Sequence, residues 1–229
     1  MNAAFERSAA LLGSAAMERL SRARVLVVGV GGVGGWCAEA LARTGLGHIT
    51  LMDDDVVVPS NMNRQSPAAS STLGRRKVDA MREKLLDACP GIDVVAECAR
   101  FEKWRTEMGF DAVVDAIDSV DCKAELVLGA TEEGVPLFSS MGAALRADPT
   151  AVRLSRFSKV EGDGLARALR NRFKRLGRRP AIDFACAWSV EPPAKCEERG
   201  SLMQVTAAFG LCLASAVIDC LCGNLKRRS

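Results

Sequence analysis

The chain has 229 residues, of which 48% are hydrophobic and 26% charged, and its formal net charge at pH 7 is +3. This length suits one α/β domain with additions or two small domains, and the composition excludes a disordered or fibrous chain. A charge of +3 is too small to indicate nucleic-acid binding by itself. Nine cysteines, no CxxC pair and no recognisable signal peptide favour a cytoplasmic protein without structural zinc or disulfides.

Alternating apolar runs and helical segments predict an α/β fold with a doubly wound, mostly parallel sheet of the Rossmann type. A short helix at residues 15–22 precedes a first strand at Arg24–Val28, and the second strand is His48–Met52. In such sheets the ligand binds beyond the carboxyl ends of the strands. The other predicted elements are strands at residues 92–97, 110–116 and 136–140, and helices at residues 32–43, 73–88 and 122–133.

The regular alternation of strands and helices ends after residue 143. We therefore predict a Rossmann-like core with an N-terminal helix at residues 1–143, and a C-terminal extension at residues 144–229 packed on the same domain. The extension is predicted to hold a hairpin at residues 144–156, a basic helix at Gly164–Leu176 and an apolar helix at residues 200–218. The apolar segment approaches the length of a membrane span, roughly 18–20 residues, but its polar side chains favour a buried helix or dimer face over membrane contact.

The segment VLVVGVGGVGG predicts a nucleotide-binding turn between a strand and a helix. Such a turn brings backbone N–H groups and a helix N-terminus to phosphate. Asp53 follows at about the spacing, ~20 residues, of an acid that binds ribose. The pattern fits NAD, FAD and ATP alike, whereas the absence of GxxxxGK[ST] excludes a P-loop enzyme. The candidate turn residues are Gly29, Gly31, Gly32 and Gly34.

Two cations and an acid favour an enzyme that cleaves ATP over a dehydrogenase. Arg64 in NMNRQ and Lys77 after LGRR can stabilise charge that builds up on phosphate oxygens. Asp118 in DAIDS offers the oxygen ligand that Mg²⁺ prefers. The alternatives are that the two cations are solvated surface charges and that Asp118 caps the following helix.

The motifs GxGGVG, LARTGxG, DxD, NxNRQ, GxxK and DAIDS, in this order, resemble the ThiF/MoeB superfamily of ubiquitin-activating-type adenylating enzymes. Within it the chain is most similar to the tRNA threonylcarbamoyladenosine dehydratases. That closer similarity rests on the blocks SSMGAALRADPT, SKVEGDGLARALRNRFKRLG, WSVEPP and GSLMQVTAAFG, and the resemblance spans nearly the whole chain.

The resemblance implies an ATP site, a Mg²⁺ ion held by Asp118, and a homodimer. It leaves open a K⁺ or Na⁺ site near the nucleotide and a cysteine-desulfurase or sulfur-acceptor partner. Ala10 stands where relatives carry an arginine that reaches the partner subunit's ATP site, and Arg7 lies one helical turn earlier. The implied ATP-binding residues are the glycine turn with Gly31 for phosphates, Asp53 for ribose, Asp55 of the same DxD motif, Asn61 and Arg64 for phosphates, and Lys77 for the α/β region.

The implied reaction is the ATP-dependent cyclisation of threonylcarbamoyladenosine in tRNA through an acyl-adenylate, with release of AMP and pyrophosphate. Because the second nucleophile lies within the substrate, no enzyme cysteine is required. Cys186 and Cys196, which flank WSVEPP, are the cysteines to examine for a sulfur-relay or redox role. One alternative is an adenylyltransferase that activates the C-terminus of a ubiquitin-like sulfur carrier, and another is an NAD-binding reductase or redox scaffold.

A cluster of cations near the basic helix predicts contact with tRNA phosphates, which would be salt-dependent and independent of sequence. The alternative is a solvated helix face. The cluster consists of Arg167, Arg170, Arg172, Lys174, Arg175, Arg178 and Arg179.

Overall fold

A computed structural model describes residues 3–105, 108–196, 198 and 200–223. Within them the strands are β1 (Arg24–Val28), β2 (His48–Met52), β3 (Asp93–Glu97), β4 (Ala112–Asp115), β5 (Leu137–Ser140), β6 (Val152–Arg156) and β7 (Ala185–Ser189). They form one sheet in the order β3-β2-β1-β4-β5-β7-β6, in which β6 pairs antiparallel with β7 and the other pairs are parallel. The predicted doubly wound, mostly parallel fold is confirmed.

Helices cover both faces of the sheet. The helices are α1 (Glu6–Leu12), α2 (Ser14–Arg22), α3 (Gly34–Thr44), α4 (Lys77–Ala88), α5 (Val120–Glu132), α6 (Gly164–Leu176) and α7 (Met203–Leu221). On β1, Val25 and Val27 pack with α3, α4 and α7, whereas Leu26 and Val28 pack with α5 and α6. Both faces are therefore buried, which explains the continuous apolar run of β1.

The sheet order reverses at β1, whose two neighbours are β2 and β4. The crossover after β1 runs through α3 and the one after β4 runs through α5, on opposite faces of the sheet. The loops that leave these two strands therefore separate and open a crevice at the carboxyl edge.

Helix α4 begins at Lys77, four residues later than predicted. Gly74 adopts φ +78°, and Arg76 then forms an isolated antiparallel bridge with Val56. The Lys77 N–H donates to the Asp55 carbonyl at 3.0 Å. This extended stretch, absent from the helical prediction, places Lys77 directly beside the acids that follow β2.

The C-terminal extension adds β6 and β7 to the same sheet, but the hairpin predicted within residues 144–156 is wrong. The Asp148 side chain accepts the Thr150 N–H at 2.8 Å and starts a short 3-10 turn at Pro149–Ala151. The strand that follows, β6, pairs with β7 across α6 rather than with a neighbouring segment. The short run ACAWS that forms β7 was not predicted as a strand, whereas the basic helix α6 has the predicted bounds.

Helix α7 is long and apolar enough to cross a membrane by length and composition. In the fold, however, Val205, Phe209, Leu213 and Val217 form a fully buried stripe at helical spacing. Gly210 allows close packing against α3, because a Cβ there would lie 2.5 Å from the Val33 carbonyl oxygen. The helix is part of the core, in agreement with the prediction of a buried helix.

Lys123 and Asp115 form an ion pair with no solvent exposure, at a distance of 2.6 Å between Nζ and Oδ2. The ammonium also donates to Ser139 Oγ at 3.2 Å and to the Ser140 carbonyl at 3.0 Å. All three of its protons therefore have acceptors. The pair joins α5 to the carboxyl ends of β4 and β5, where the crevice begins.

Replacement of Lys123 by Met should lower the free energy of unfolding by about 3–5 kcal/mol, because it leaves a buried carboxylate without a counter-charge. The double variant Lys123→Met/Asp115→Asn should recover most of the loss. Urea unfolding followed by circular dichroism measures both, with Lys103→Met at an exposed position as the matched control. Equal stabilities of the single and double variants would contradict the paired-charge interpretation.

Candidate active site

A cleft of about 550 Å³ opens at the carboxyl ends of β1, β2 and β4. It collects side chains and backbone from the loops that the strand order separates. Of the residues predicted to bind nucleotide, all but Gly34 line it: Gly29, Gly31, Gly32, Asp53, Asp55, Asn61, Arg64, Lys77 and Asp118.

The glycine turn is held against the loop that follows β4. Gly29 has φ +89°, and a Cβ there would lie 2.7 Å from the Ala116 carbonyl oxygen. A Cβ on Gly34 would overlap the Gly29 carbonyl oxygen at 1.8 Å. Gly34 therefore permits α3 to start close to β1, and its predicted contact with the nucleotide stays a prediction.

Asp53 is oriented by two backbone N–H groups. Its Oδ2 accepts from Val30 at 2.6 Å, and its Oδ1 accepts from Asp55 at 2.9 Å. Burial raises the pKa of Asp53, against the opposing attraction of Lys77 and the two N–H bonds. Each carboxylate oxygen keeps a free lone pair, so the side chain can accept from a ribose hydroxyl.

Lys77 presents a desolvated ammonium to the cleft. Its side chain is 6% exposed, and Nζ donates to Asp55 Oδ2 at 2.6 Å. Among the described residues it has no second hydrogen-bond partner, so two of its three protons are available to a ligand. The position follows from the late start of α4, whose first residue is Lys77.

Arg64 lies against the glycine turn, with its Cγ 3.4 Å from a Cβ built on Gly32. Its guanidinium donates to the Ser60 carbonyl at 2.8 Å and to Asn63 Oδ1 at 3.0 Å. The backbone beneath it is fixed because Trp36 Nε1 donates to the Arg64 carbonyl at 2.8 Å.

Asn61 is buried at the start of the same loop and lines the cleft. Its Oδ1 accepts the Val58 N–H at 3.2 Å, which holds the loop in place. The amide group of Asn61 remains as a donor toward a ligand.

Asp118 does not cap α5. The N-cap of that helix is Ser119, and Asp118 makes no side-chain hydrogen bond within the described part of the chain. A free carboxylate in the cleft fits Mg²⁺, which prefers oxygen ligands. Asp53, Asp54 and Asp55 also bring carboxylate oxygens within 4.8 Å of one another at the same edge of the sheet.

The sequence reasoning missed several residues that line the cleft. Gln65 is buried there, and its Oε1 accepts no hydrogen bond from the described residues, so it can accept from a ligand. Arg100 also lines the cleft, and its Nε donates to Cys122 Sγ at 3.4 Å. Gln65 belongs to the NMNRQ motif and could have been inferred, whereas Arg100 follows β3 without any motif.

The seven cations near α6 fall into two sets. Arg170 donates to the Phe157 and Val160 carbonyls and lies over the Phe157 ring. Arg172 pairs with Asp121 at 2.8 Å and Arg178 with Glu132 at 2.8 Å, so these three are engaged within the protein. The other four are exposed and have no hydrogen bond or ion pair from their side chains to described residues: Arg167, Lys174, Arg175 and Arg179.

The two cysteines singled out in the sequence lie in different environments. Cys186 is fully buried in β7, and burial raises the pKa of its thiol far above the usual range. It is therefore not a nucleophile at neutral pH. Cys196 is exposed and lies apart from the residues that line the cleft.

The chain was compared with protein families, curated proteins and solved structures. A model of the ThiF family matches residues 5–229. The chain belongs to the ThiF family. The resemblance inferred from the sequence is thereby confirmed.

Among curated relatives, the tRNA threonylcarbamoyladenosine dehydratase of Bacillus subtilis is 37% identical, over 85% of this chain and 77% of that protein. The Escherichia coli tRNA N6-threonylcarbamoyladenosine dehydratase, solved in complex with ATP, superposes with a TM-score of 0.90 at 33% identity. That match covers 98% of this chain and 96% of the other. The molybdopterin-synthase adenylyltransferase of E. coli is 30% identical, over 93% of this chain and 78% of that protein.

Replacement of Gly32 by Val should weaken ATP binding at least tenfold while the protein remains folded. A Cβ at this position already lies 3.3 Å from Thr206, so the added methyl groups fill space at the glycine turn. Titration calorimetry with ATP measures the change, and Gly164→Val, at a site open to solvent, is the matched control. Unchanged affinity in folded Gly32→Val protein would show that the nucleotide does not lie on this turn.

Proposed function

We propose that this protein is an ATP-dependent tRNA threonylcarbamoyladenosine dehydratase. The observation that carries the proposal is the meeting of the glycine turn, Asp53, Arg64, Lys77 and Asp118 in one cleft. The identity to the B. subtilis dehydratase, 37% against 30% for the E. coli molybdopterin-synthase adenylyltransferase, favours this activity over activation of a sulfur-carrier protein. An acid for ribose together with two phosphate-directed cations also favours ATP over NAD.

In the first step the threonyl carboxylate of the modified adenosine attacks the α-phosphorus of ATP. A bond forms between the carboxylate oxygen and phosphorus, the bond from the α-phosphorus to the bridging oxygen breaks, and pyrophosphate leaves with the electron pair. Negative charge increases on the phosphate oxygens, and the free protons of Lys77 and the guanidinium of Arg64 stabilise it. Asp53 holds the ribose so that the α-phosphate remains in reach of the carboxylate.

In the second step the ureido group of the same substrate attacks the activated carbonyl. A ring bond forms, the bond between the carbonyl carbon and the AMP oxygen breaks, and AMP leaves. The nucleophile's proton goes to solvent, and the net change in the modified nucleoside is the loss of one water. Ring closure has the advantage of an intramolecular reaction, so no enzyme thiol takes part.

The proposal includes a Mg²⁺ ion held by Asp118, whose free carboxylate fits this cation. When bound, the ion neutralises charge on the phosphates. It also includes a homodimer and a location in the cytoplasm. The family resemblance alone supports two further parts of the proposal, a monovalent cation near the nucleotide and a sulfur-acceptor partner. Arg7 is exposed on α1, one helical turn before Ala10, and we assign it no intersubunit role.

Lys77→Met and Arg64→Met should each lower turnover by about 10²–10³-fold, because each removes a charge that stabilises the transition state. The assay follows AMP release and the cyclised nucleoside by mass spectrometry, with tRNA that carries uncyclised threonylcarbamoyladenosine. Lys103→Met is the control. AMP release with a small sulfur-carrier protein and none with tRNA would establish the alternative adenylyltransferase, and binding of NADH without ATP would exclude both activities.

We also propose that the exposed set of cations on and after α6 binds tRNA phosphates. A groove between α5 and α6 is lined by Lys174 and Arg175, and on α5 by Val120 and by Asp121, which pairs with Arg172. The residue before Val120, Ser119, lines the cleft. An RNA strand that leaves the cleft at this point meets the two free cations. The three engaged arginines are not part of this proposed surface.

Lys174→Ala/Arg175→Ala should reduce the slope of log affinity against log salt by about 1.4–1.8, the value for two lost phosphate contacts. ATP affinity should stay unchanged. Fluorescence anisotropy with labelled tRNA at several salt concentrations gives the slope. The control Arg76→Ala/Lys103→Ala removes two exposed charges that also lack side-chain partners among the described residues and lie outside this groove, and an equal loss of slope in it would refute a specific surface.

A further inference from the structure

Asp163 is a buried carboxylate that joins the wall of the cleft to the basic helix. Its side chain is 1% exposed. One oxygen, Oδ1, accepts the Ala166 N–H at 2.9 Å and caps α6. The other, Oδ2, accepts the Gly142 N–H at 3.1 Å, and Gly142 lines the cleft just after β5.

Arg146 is the counter-charge. Its side chain is 4% exposed, and its Nη2 lies 3.4 Å from Asp163 Oδ2. Its Nη1 donates to the carbonyl of Ala144, a second residue of the cleft wall, at 3.2 Å. Its Nε is buried and has no acceptor among the described residues. The pair thus holds the wall at Gly142 and at Ala144 and holds α6 at its first turn.

The fit between these groups is tight. A Cβ on Gly142 would lie 3.2 Å from Asp163 Oδ2, so only glycine brings its N–H this close to the carboxylate without displacement. Leu145, between the two wall contacts, adopts φ +62°, a conformation that non-glycine residues rarely adopt. Two backbone hydrogen bonds hold it there, from Leu145 N–H to the Gly200 carbonyl and from Ala194 N–H to the Leu145 carbonyl.

A helix cap at the start of α6 does not require a buried ion pair. Asn or Ser at position 163 would cap α6 equally well. A buried carboxylate with a buried guanidinium costs desolvation that a neutral cap avoids. The added feature here is that the charged pair makes direct hydrogen bonds to both the nucleotide cleft and the helix that carries the exposed cations.

From this geometry we propose that Asp163 and Arg146 are positioning residues for the dehydratase reaction. They set the position of α6, and of the tRNA held on it, relative to the glycine turn and the α-phosphate. The proposal rests on the proposed function. Because attack on phosphorus depends steeply on the approach of the carboxylate, a small shift of α6 lowers the rate of the chemical step more than it weakens binding of either substrate.

The test compares Asp163→Asn with the double variant Asp163→Asn/Arg146→Gln. The single variant keeps a capping side chain but leaves Arg146 without its counter-charge. The double variant removes both charges, so it has no unpaired buried ion and keeps the protein folded if the single variant is unstable. Asp148→Asn is the matched control, because Asp148 also caps a turn but is exposed and lies outside the cleft.

For each folded variant, kcat for cyclisation at saturating tRNA and ATP is measured together with the dissociation constants of ATP and tRNA. The expected result is a kcat at least tenfold below wild type, with both dissociation constants within threefold of wild type. Wild-type kcat in the folded double variant, or a loss of ATP affinity in proportion to the loss of turnover, would overturn the positioning role. If the wild-type enzyme itself forms no cyclised product, the proposed function fails instead.

Discussion

The functional geometry depends on one close backbone contact, between the glycine turn after β1 and the loop after β4. Gly29 and Gly34 leave no room for a side chain there, because the Ala116 carbonyl and the turn itself occupy the space. This contact fixes where α3 starts and how the loop that contains Asp118 leaves the sheet. The acids after β2 then face the turn across a cleft whose width is set by backbone rather than by flexible side chains.

Two buried ion pairs hold the backbone that forms the wall of this cleft. Lys123 bonds the Ser140 carbonyl and the carboxylate of Asp115, whereas Asp163 and Arg146 bond the backbone at Gly142 and Ala144. The wall is therefore held at three residues, Ser140, Gly142 and Ala144, by buried ionic groups. Such pairs contribute little net stability compared with an apolar core, and their contribution here is the hydrogen bonds that hold the backbone of the wall. A wall held by these bonds suits a site in which two substrates meet at a phosphorus atom.

Most of the core could be predicted from the sequence because its signals are local. The apolar run of β1, the glycine turn and the acid after β2 lie within thirty residues and report on one strand–turn–helix unit. The start of α4 could not be predicted in the same way, because its helical pattern continues backward through Leu73 while tertiary pairing of Arg76 with Val56 holds the chain extended. The pairing of β6 with β7 could not be predicted either. The two strands are separated in the chain by α6, so no tight turn marks them as a pair.

Long-range contacts also decide which cations near the basic helix are free to bind phosphate. Sequence alone shows seven cations on and just after one helix and gives no means to separate them. The separation comes from groups far along the chain: Asp121 and Glu132 on α5, and carbonyls near Phe157, neutralise or bind three of the seven. A cation with a fixed internal partner would have to break that contact before it could bind a phosphate, whereas Lys174 and Arg175 lose only hydration. The number of cations in this cluster therefore overstates the electrostatic surface available to RNA, and the cations without internal partners define it better.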